Sequence, residues 1–182
     1  RAMRMRVVAY DPYLRPGTEK VFGVEMVSFE ELLSTSDVVS LHSPLTKETE
    51  GLIDDDALSR MKSDSILVNT SRGSVVNTAA LAKALRSGKI AAAGIDVLPI
   101  EPASEDEPLI QLWREADETN VNLIITPHTA FYSAEAMLEI RTKTAMEVAR
   151  ALRGEKLVNC VNSQWLSNDV RRRVLVGIPP TL

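Results

Sequence analysis

Residues 65–74 constrain the fold more than any other part of the sequence. They run Ser-Ile-Leu-Val-Asn-Thr-Ser-Arg-Gly-Ser, so a short apolar run passes directly into a polar turn that contains Arg72. Such a run is typical of a strand buried on both faces, as in a parallel sheet. Arg72 follows the carboxyl end of that strand, where open α/β sheets bind ligands. Two roles remain open for Arg72 at this point, a ligand contact and a structural bond to a helix end.

Strands and helices alternate along the whole sequence. The apolar runs and turn signals predict strands at residues 5–10, 24–27, 37–42, 65–70, 90–97 and 121–126. Helices are predicted at 28–34, 54–61, 77–87, 109–116 and 133–153. This alternation indicates a doubly wound α/β fold, in which right-handed crossovers connect the strands of a parallel sheet.

Polar residues mark the predicted helix starts. Ser28 and Glu31 have the spacing of a capping box, and Ser133 precedes a long helix that Gly154 ends. The helix at 54–61 opens with three consecutive aspartates, beginning at Asp54. Three acids could bind a metal ion, but we interpret them as a cap with favourable charge at a helix N-terminus.

The composition excludes several functional classes. A net charge of -4 gives no general basic field that would attract nucleic acid or a membrane surface. Apolar runs stay far below the roughly 20 residues of a membrane span. The single cysteine, Cys160, can form neither an internal disulfide nor a cysteine metal cluster. These features predict a cytoplasmic protein, and its 182 residues fit one domain, or one domain with part of another.

Five polar residues lie at the carboxyl ends of predicted strands, and both histidines of the chain are among them. The five are Asp11, His42, Arg72, Asp96 and His128. Parallel strands end at the same sheet edge, and neighbours lie about 4.8 Å apart. If the last three strands are neighbours, Arg72, Asp96 and His128 lie within roughly 10 Å of each other. An arginine there can hold a carboxylate through two parallel hydrogen bonds.

Each of these residues also has a structural interpretation. Asp11 could start a turn or hydrogen-bond the ribose of a dinucleotide, and His42 could be structural or line the cofactor site. Asp96 could cap a turn or hold the amide of a nicotinamide ring. His128 could be structural or serve as a general acid and base. Glu101, in an acidic loop, would by itself be taken as solvated.

Five motifs in order carry a family resemblance. They are Tyr-Asp-Pro at 10–12, Leu-His-Ser-Pro-Leu-Thr at 41–46, Val-Asn-Thr-Ser-Arg-Gly-Ser-Val-Val-Asn at 68–77, Gly-Ile-Asp-Val at 94–97 with Glu-Pro at 101–102, and Thr-Pro-His-Thr-Ala at 126–130. Over roughly residues 7–162 the chain resembles the D-isomer-specific 2-hydroxyacid dehydrogenases. Residues 10–14, 131–133 and 159–162 resemble the C-terminal-binding-protein branch, whose metazoan members have tryptophan where Phe131 stands.

The resemblance implies a fold and a catalytic set. It implies a Rossmann-type doubly wound parallel sheet, with residues 1–154 as a partial NAD-binding domain and 155–182 as a tail returning to the substrate domain. Arg72 would bind the substrate carboxylate, and His128 would exchange the hydroxyl proton. Glu101 would hydrogen-bond the other imidazole nitrogen, which fixes the tautomer and favours the charged form.

The resemblance also implies a cofactor site. Asp96 would orient the nicotinamide carboxamide, and Asp11 would hold the adenosine ribose, which favours NAD over NADP. Arg15 lies close enough in sequence to keep NADP open. The remaining residues expected to line the cleft are His42, Ser43, Pro44, Thr49, Thr70 and Ser71.

The activity implied is hydride transfer between the nicotinamide and C2 of a 2-hydroxy or 2-keto acid. The resemblance further implies a homodimer formed through the NAD-binding domain. The alternative is an NAD-sensing transcriptional corepressor of the C-terminal-binding-protein type, which would be nuclear. Neither hypothesis involves direct contact with nucleic acid or a membrane.

One expected motif is absent. The family's Gly-x-Gly-x-x-Gly turn, which binds the pyrophosphate after the first strand, does not occur. The chain begins Arg-Ala-Met-Arg-Met and runs into a strand without a turn or cap, which indicates a piece of a longer protein. We therefore expect a sheet without its first strand. We also expect this chain alone to be unstable or to aggregate, to bind NAD weakly or not at all, and to be inactive.

Overall fold

The computed structural model describes residues 4–15, 17–165, 167–168 and 170. The chain divides into two compact units, Arg1–Ala130 and Phe131–Leu182. The first unit contains β1 (Val8–Ala9), α1 (Thr18–Phe22), β2 (Glu25–Met26), α2 (Phe29–Thr35), β3 (Val38–Leu41), α3 (Asp55–Arg60), β4 (Ile66–Asn69), a 3-10 helix (Gly73–Val75), α4 (Thr78–Arg86), β5 (Ala92–Ile95), α5 (Pro108–Arg114), α6 (Ala116–Thr119) and β6 (Asn122–Ile125). The second unit contains α7 (Ala134–Arg153) and a 3-10 helix at Ser163–Trp165. The predicted tail at 155–182 falls partly outside the described residues.

The strands form two parallel sheets. One has the order β3-β4-β5-β6, and the other pairs β1 with β2. In the larger sheet Leu41, Asn69, Ile95 and Ile125 form one row across the four strands. The parallel α/β architecture predicted from the sequence is therefore confirmed. Within the described residues β3 pairs with β4 alone, and the two sheets are separate.

The N-terminal region differs most from the sequence-based prediction. The strand predicted at 5–10 is only two residues long, and α1 lies in a segment where no helix was predicted. Gly17 and Gly23 flank α1 in left-handed conformations, with φ of 94° and 59°. A five-residue helix bounded by glycines has the same local signal as a loop, which explains the error. The short helix α6, which Asn120 ends at φ 54°, was also missed.

Side-chain caps start the helices as predicted. Ser28 Oγ accepts from the Glu31 amide at 3.1 Å, and Asp54 Oδ1 accepts from the Ala57 amide at 2.9 Å. Asn77 and Ser133 make the corresponding bonds at the starts of α4 and α7. The aspartates at 54–56 therefore act as a cap with favourable charge. No group of three or more His, Cys, Asp or Glu residues in the described part of the chain could hold a metal ion.

Apolar side chains from the larger sheet and its helices form one core. Its fully buried leucines are Leu33, Leu58, Leu67, Leu81, Leu109 and Leu112. Each buried leucine contributes about 1.5–3 kcal/mol relative to an exposed one. Because this core fixes β4, β5 and β6 in register, it also fixes the three turns that leave their carboxyl ends. None of the helices described is both long enough and apolar enough to cross a bilayer.

Candidate active site

Three polar turns leave the larger sheet at one edge. Asn69, Ile95 and Ile125 lie side by side in the register, so the residues that follow them emerge together. The segments that follow contain Arg72, Asp96 and His128. The condition stated above, that the last three strands are neighbours, is therefore met.

Asn69 organises the turn that carries Arg72. This asparagine is buried, with 1% of its surface exposed. Its Oδ1 accepts from the Ser71 amide at 3.0 Å and the Ser71 hydroxyl at 2.8 Å, and its Nδ2 donates to the Arg72 carbonyl at 3.0 Å. The Arg72 side chain is exposed, and its Nη1 donates to the Ser71 carbonyl at 2.6 Å. The backbone of the turn is thus fixed, while the guanidinium remains accessible from solvent.

Asp96 joins the end of β5 to the turn after β6. Its Oδ1 accepts from the Thr126 hydroxyl at 2.5 Å and the Thr129 amide at 2.8 Å, and its Oδ2 accepts from the Ala130 amide at 3.0 Å. Burial alone would raise the pKa of Asp96, but these hydrogen bonds outweigh it, so the pKa lies below its usual value. Asp96 is therefore an ionised carboxylate at neutral pH.

Glu101 and His128 form a hydrogen-bonded pair. Glu101 Oε2 lies 2.7 Å from His128 Nδ1, and Glu101 Oε1 accepts from the Leu98 amide at 3.0 Å. The hydrogen bond with His128 lowers the pKa of Glu101, so the carboxylate is ionised and can only accept. Nδ1 therefore carries the proton of the neutral imidazole, and Nε2 is the nitrogen that can take up a further proton.

His128 has an unusual backbone conformation. Its φ of 52° lies in the left-handed region, which costs a non-glycine residue about 1–3 kcal/mol. Its amide donates to the Asp96 carbonyl at 2.8 Å and to the Thr126 carbonyl at 3.0 Å. Strain of this kind persists only where surrounding bonds hold it, and it is concentrated at functional sites.

Gly73 brings the Arg72 turn against the loop that holds Glu101. A Cβ added to Gly73 would lie 2.0 Å from the Leu98 carbonyl carbon and 2.3 Å from the Pro99 nitrogen. Only glycine permits two backbone segments to approach this closely. Since the Leu98 amide also binds Glu101, the contact connects the arginine turn to the carboxylate–histidine pair.

The residues predicted to line the cofactor cleft divide into two groups. His42, Ser43, Pro44 and Thr49 lie in the loop after β3, where Ser40 Oγ contacts His42 Nε2 at 2.9 Å and Thr49 Oγ1 donates to the Pro44 carbonyl at 2.6 Å. Thr70 is exposed at the end of β4. Ser71 is 8% exposed, and its hydroxyl is used inside the Arg72 turn. The hydroxyl groups of Thr49 and Ser71 therefore form hydrogen bonds within their own loops.

Asp11 stands at the end of β1, in the smaller sheet. Its Oδ1 accepts from the Tyr13 amide at 2.8 Å, which forms an Asx turn. The Tyr13 hydroxyl donates to the Glu48 carboxylate, and this bond joins the Asp11 turn to the loop after β3. The hydrogen bond with Glu48 raises the pKa of Tyr13.

The comparisons with known proteins identify a family. Residues 1–130 match the family model described as the D-isomer specific 2-hydroxyacid dehydrogenase, NAD binding domain. The chain belongs to this family. The catalytic set implied by the resemblance therefore lies in the matched part of a true family member.

Relatives of known name are dehydrogenases and reductases. The chain is 42% identical to D-3-phosphoglycerate dehydrogenase of Mycobacterium leprae over 161 residues, which are 88% of the chain and 29% of that protein. It is 44% identical to glyoxylate reductase of Korarchaeum cryptofilum over 88% of the chain and 46% of that protein. Among solved structures, D-lactate dehydrogenase from Aquifex aeolicus with NAD and lactic acid has a TM-score of 0.74 and 36% identity, and the match covers 85% of this chain and 48% of that one. The chain thus spans less than half the length of these relatives.

Sequence reasoning missed three residues that support the family's site. Asn69, Gly73 and Thr126 were seen only as parts of motifs, with no role of their own. Asn69 offered one signal, because an amide inside an otherwise apolar strand needs buried partners. Gly73 and Thr126 offered none, since their partners lie in other segments of the chain.

Proposed function

We propose that this protein is an NAD-dependent oxidoreductase that interconverts a 2-hydroxy acid and the corresponding 2-keto acid. The observation that carries the proposal is the pair of His128 Nδ1 and Glu101 Oε2, 2.7 Å apart beside the Arg72 turn. A carboxylate that fixes an imidazole, with an accessible arginine nearby, is the arrangement that proton exchange on a small carboxylic acid requires.

His128 acts as the acid and base in this proposal. Glu101 holds the Nδ1 proton, so Nε2 takes the hydroxyl proton during oxidation and returns it during reduction. The ionised Glu101 stabilises the imidazolium that forms in the first case. The His128 side chain is 44% exposed, which leaves it accessible to a small substrate.

Arg72 binds the substrate carboxylate. Its guanidinium can present two parallel donors, which select a planar carboxylate over a neutral group. The contact orients C2 of the acid relative to His128. A substrate of this class must carry the hydroxyl or keto group adjacent to its carboxylate, because both groups are held by one edge of the sheet.

The residues present fit parts of a dinucleotide site. Asp11 would hold the adenosine ribose, Asp96 would bind the nicotinamide carboxamide, and the loop after β3 with Thr70 would line the cleft. Asp96 has an acceptor position for this role, because a carboxylate has about four lone-pair sites and the described residues use three. NAD, when bound, supplies the hydride chemistry. The acidic Asp11 favours NAD over NADP.

The relatives support the same class of reaction. The named relatives are a phosphoglycerate dehydrogenase, a glyoxylate reductase and a lactate dehydrogenase. We assign residues 1–154 to a partial NAD-binding domain and 155–182 to a tail of the substrate domain, and we propose a cytoplasmic homodimer. No observation favours the corepressor alternative.

An assay of the full-length protein tests the proposal. The purified protein is incubated with NADH and a panel of 2-keto acids, and NADH loss is followed at 340 nm. We expect turnover of at least one acid and a loss of kcat of about 10²–10⁴-fold in His128→Ala, with NADH affinity retained. Absence of turnover across the panel, or equal turnover by the His128→Ala variant, would refute it.

A further inference from the structure

Asp96 accepts hydrogen bonds from four residues of the segment that follows β6. Its side chain accepts from the Thr126 hydroxyl at 2.5 Å, the Thr129 amide at 2.8 Å and the Ala130 amide at 3.0 Å. Its carbonyl accepts from the His128 amide at 2.8 Å. Asp96 therefore contacts residues on both sides of His128 and the backbone of His128 itself.

These hydrogen bonds stabilise the backbone around His128, which has an unfavourable conformation. His128 lies in the left-handed region at φ 52°, which an ordinary turn would not maintain without external bonds. Asp96 is 4% exposed and lies at the end of the central strand β5. A buried side chain at the end of a paired strand has little freedom to move, so its hydrogen bonds can fix the conformation of a neighbouring turn.

We propose that Asp96 is a positioning residue for His128, which it aligns with Glu101 by holding the left-handed turn at 126–130. This inference rests on the proposed function and extends it, since it gives Asp96 a role besides the nicotinamide contact. The Asp96 carboxylate accepts three hydrogen bonds from the turn, and a fourth lone pair would accept from the nicotinamide carboxamide. The same side chain would therefore contact both the turn and the cofactor.

The ionisation of Asp96 is consistent with this role. A carboxylate with a lowered pKa stays a pure acceptor throughout the neutral range. An amide in its place would present an NH₂ group to at least one of three donors.

Thr126 offers a test that leaves Asp96 in place. Its hydroxyl donates to Asp96, and Thr126 is not among the residues predicted to line the cofactor cleft. Thr126→Val removes the donor at nearly constant volume, while Thr126→Ser keeps it as the matched control. Both variants are made in the full-length protein.

We expect Thr126→Val to lower kcat by about ten- to a hundredfold, because a misplacement of roughly 1 Å can cost about a hundredfold. NADH affinity, measured by fluorescence titration, should stay within twofold. The imidazole proton resonance of His128, assigned by its loss in His128→Ala, should shift in Thr126→Val and keep its position in Thr126→Ser. The resonance of His42 should be unchanged in both variants.

Two results would overturn the inference. If Thr126→Val weakens NADH binding and leaves kcat and the His128 resonance unchanged, Asp96 acts through the cofactor alone. If NADH binding, kcat and the His128 resonance are all unchanged, the hydrogen bond between Thr126 and Asp96 does not help to position His128. Should Thr126→Val fail to fold, Thr126→Ala removes the same donor without adding a methyl group to the packing and is judged by the same criteria. The resonance and titration do not need turnover, so they test the inference even if the proposed function fails.

Discussion

Replacing Gly73 by alanine should damage the site without touching any reacting group. The added Cβ would lie 2.0 Å from the Leu98 carbonyl carbon, 2.2 Å from its oxygen and 2.3 Å from the Pro99 nitrogen. Carbon atoms in contact lie about 3.5 Å apart, so the two backbone segments must separate by roughly 1.5 Å. The neighbours are backbone atoms, which cannot rotate away as a side chain would.

Both stability and catalysis should respond. Overpacking of a filled interior costs about 1–3 kcal/mol, and a clash with backbone belongs at the upper end of that range. The Tm should fall accordingly, by roughly 2–4 °C per kcal/mol for a domain of 150–250 residues. Because the Leu98 amide holds Glu101, the same shift displaces the partner of His128, and kcat/KM should fall by about a hundredfold.

Gly94 provides the matched control. It is half-buried on β5, and a Cβ added there would meet no atom within 4 Å. Gly94→Ala should therefore leave Tm unchanged or raise it slightly, because the substitution restricts the unfolded chain. Thermal unfolding followed by circular dichroism, together with steady-state kinetics of the full-length protein, measures both effects. A Gly73→Ala variant with wild-type Tm and kcat/KM would refute the packing argument.

Two further substitutions test the roles proposed for Glu101 and Arg72. Glu101→Gln should lower kcat at pH 6–8. Its deficit relative to the wild type should shrink only when the pH falls below the usual pKa range of a glutamate, since the hydrogen bond with His128 lowers the pKa of Glu101 and protonation removes the ionised partner of His128 in the wild type. A kcat–pH profile measures this, with Glu105→Gln in the same loop as the control, and a deficit that is constant with pH would contradict it. Arg72→Lys keeps the charge but loses the two-donor geometry, so KM for the 2-keto acid should rise about ten- to a hundredfold while NADH affinity is retained. An unchanged KM would show that Arg72 does not bind the substrate.

Much of the fold was predictable because its signals are local. The apolar runs that became β3 to β6 are uninterrupted and end at polar turns, and caps such as Asp54 lie within three residues of their partners. The region before β2 was predicted poorly for the opposite reason. Glycines with positive φ bound α1, and at sequence level they indicate a loop.

The site was predictable in position but not in its internal bonds. Strand ends placed Arg72, Asp96 and His128 at one edge, and the register confirmed it. The partner of His128, Glu101, came from the family resemblance, because no spacing rule relates residues 27 positions apart. The bonds of Asp96 to the turn after β6 depend on tertiary contacts and could not be inferred from either segment alone.

The row of residues that unites Asn69, Ile95 and Ile125 also determines when the site can form during folding. Each strand of the row is separated from the next by a crossover, and the bonds of Asp96 and His128 span 27 to 34 residues. Parallel pairing of this kind is slow, because closing the long loops between the strands costs conformational entropy before the new contacts stabilise the pair. A helix such as α4, by contrast, is built from hydrogen bonds between residues close in sequence. We therefore expect the sheet edge that carries Arg72, Asp96 and His128 to form only once the strands β4, β5 and β6 have paired.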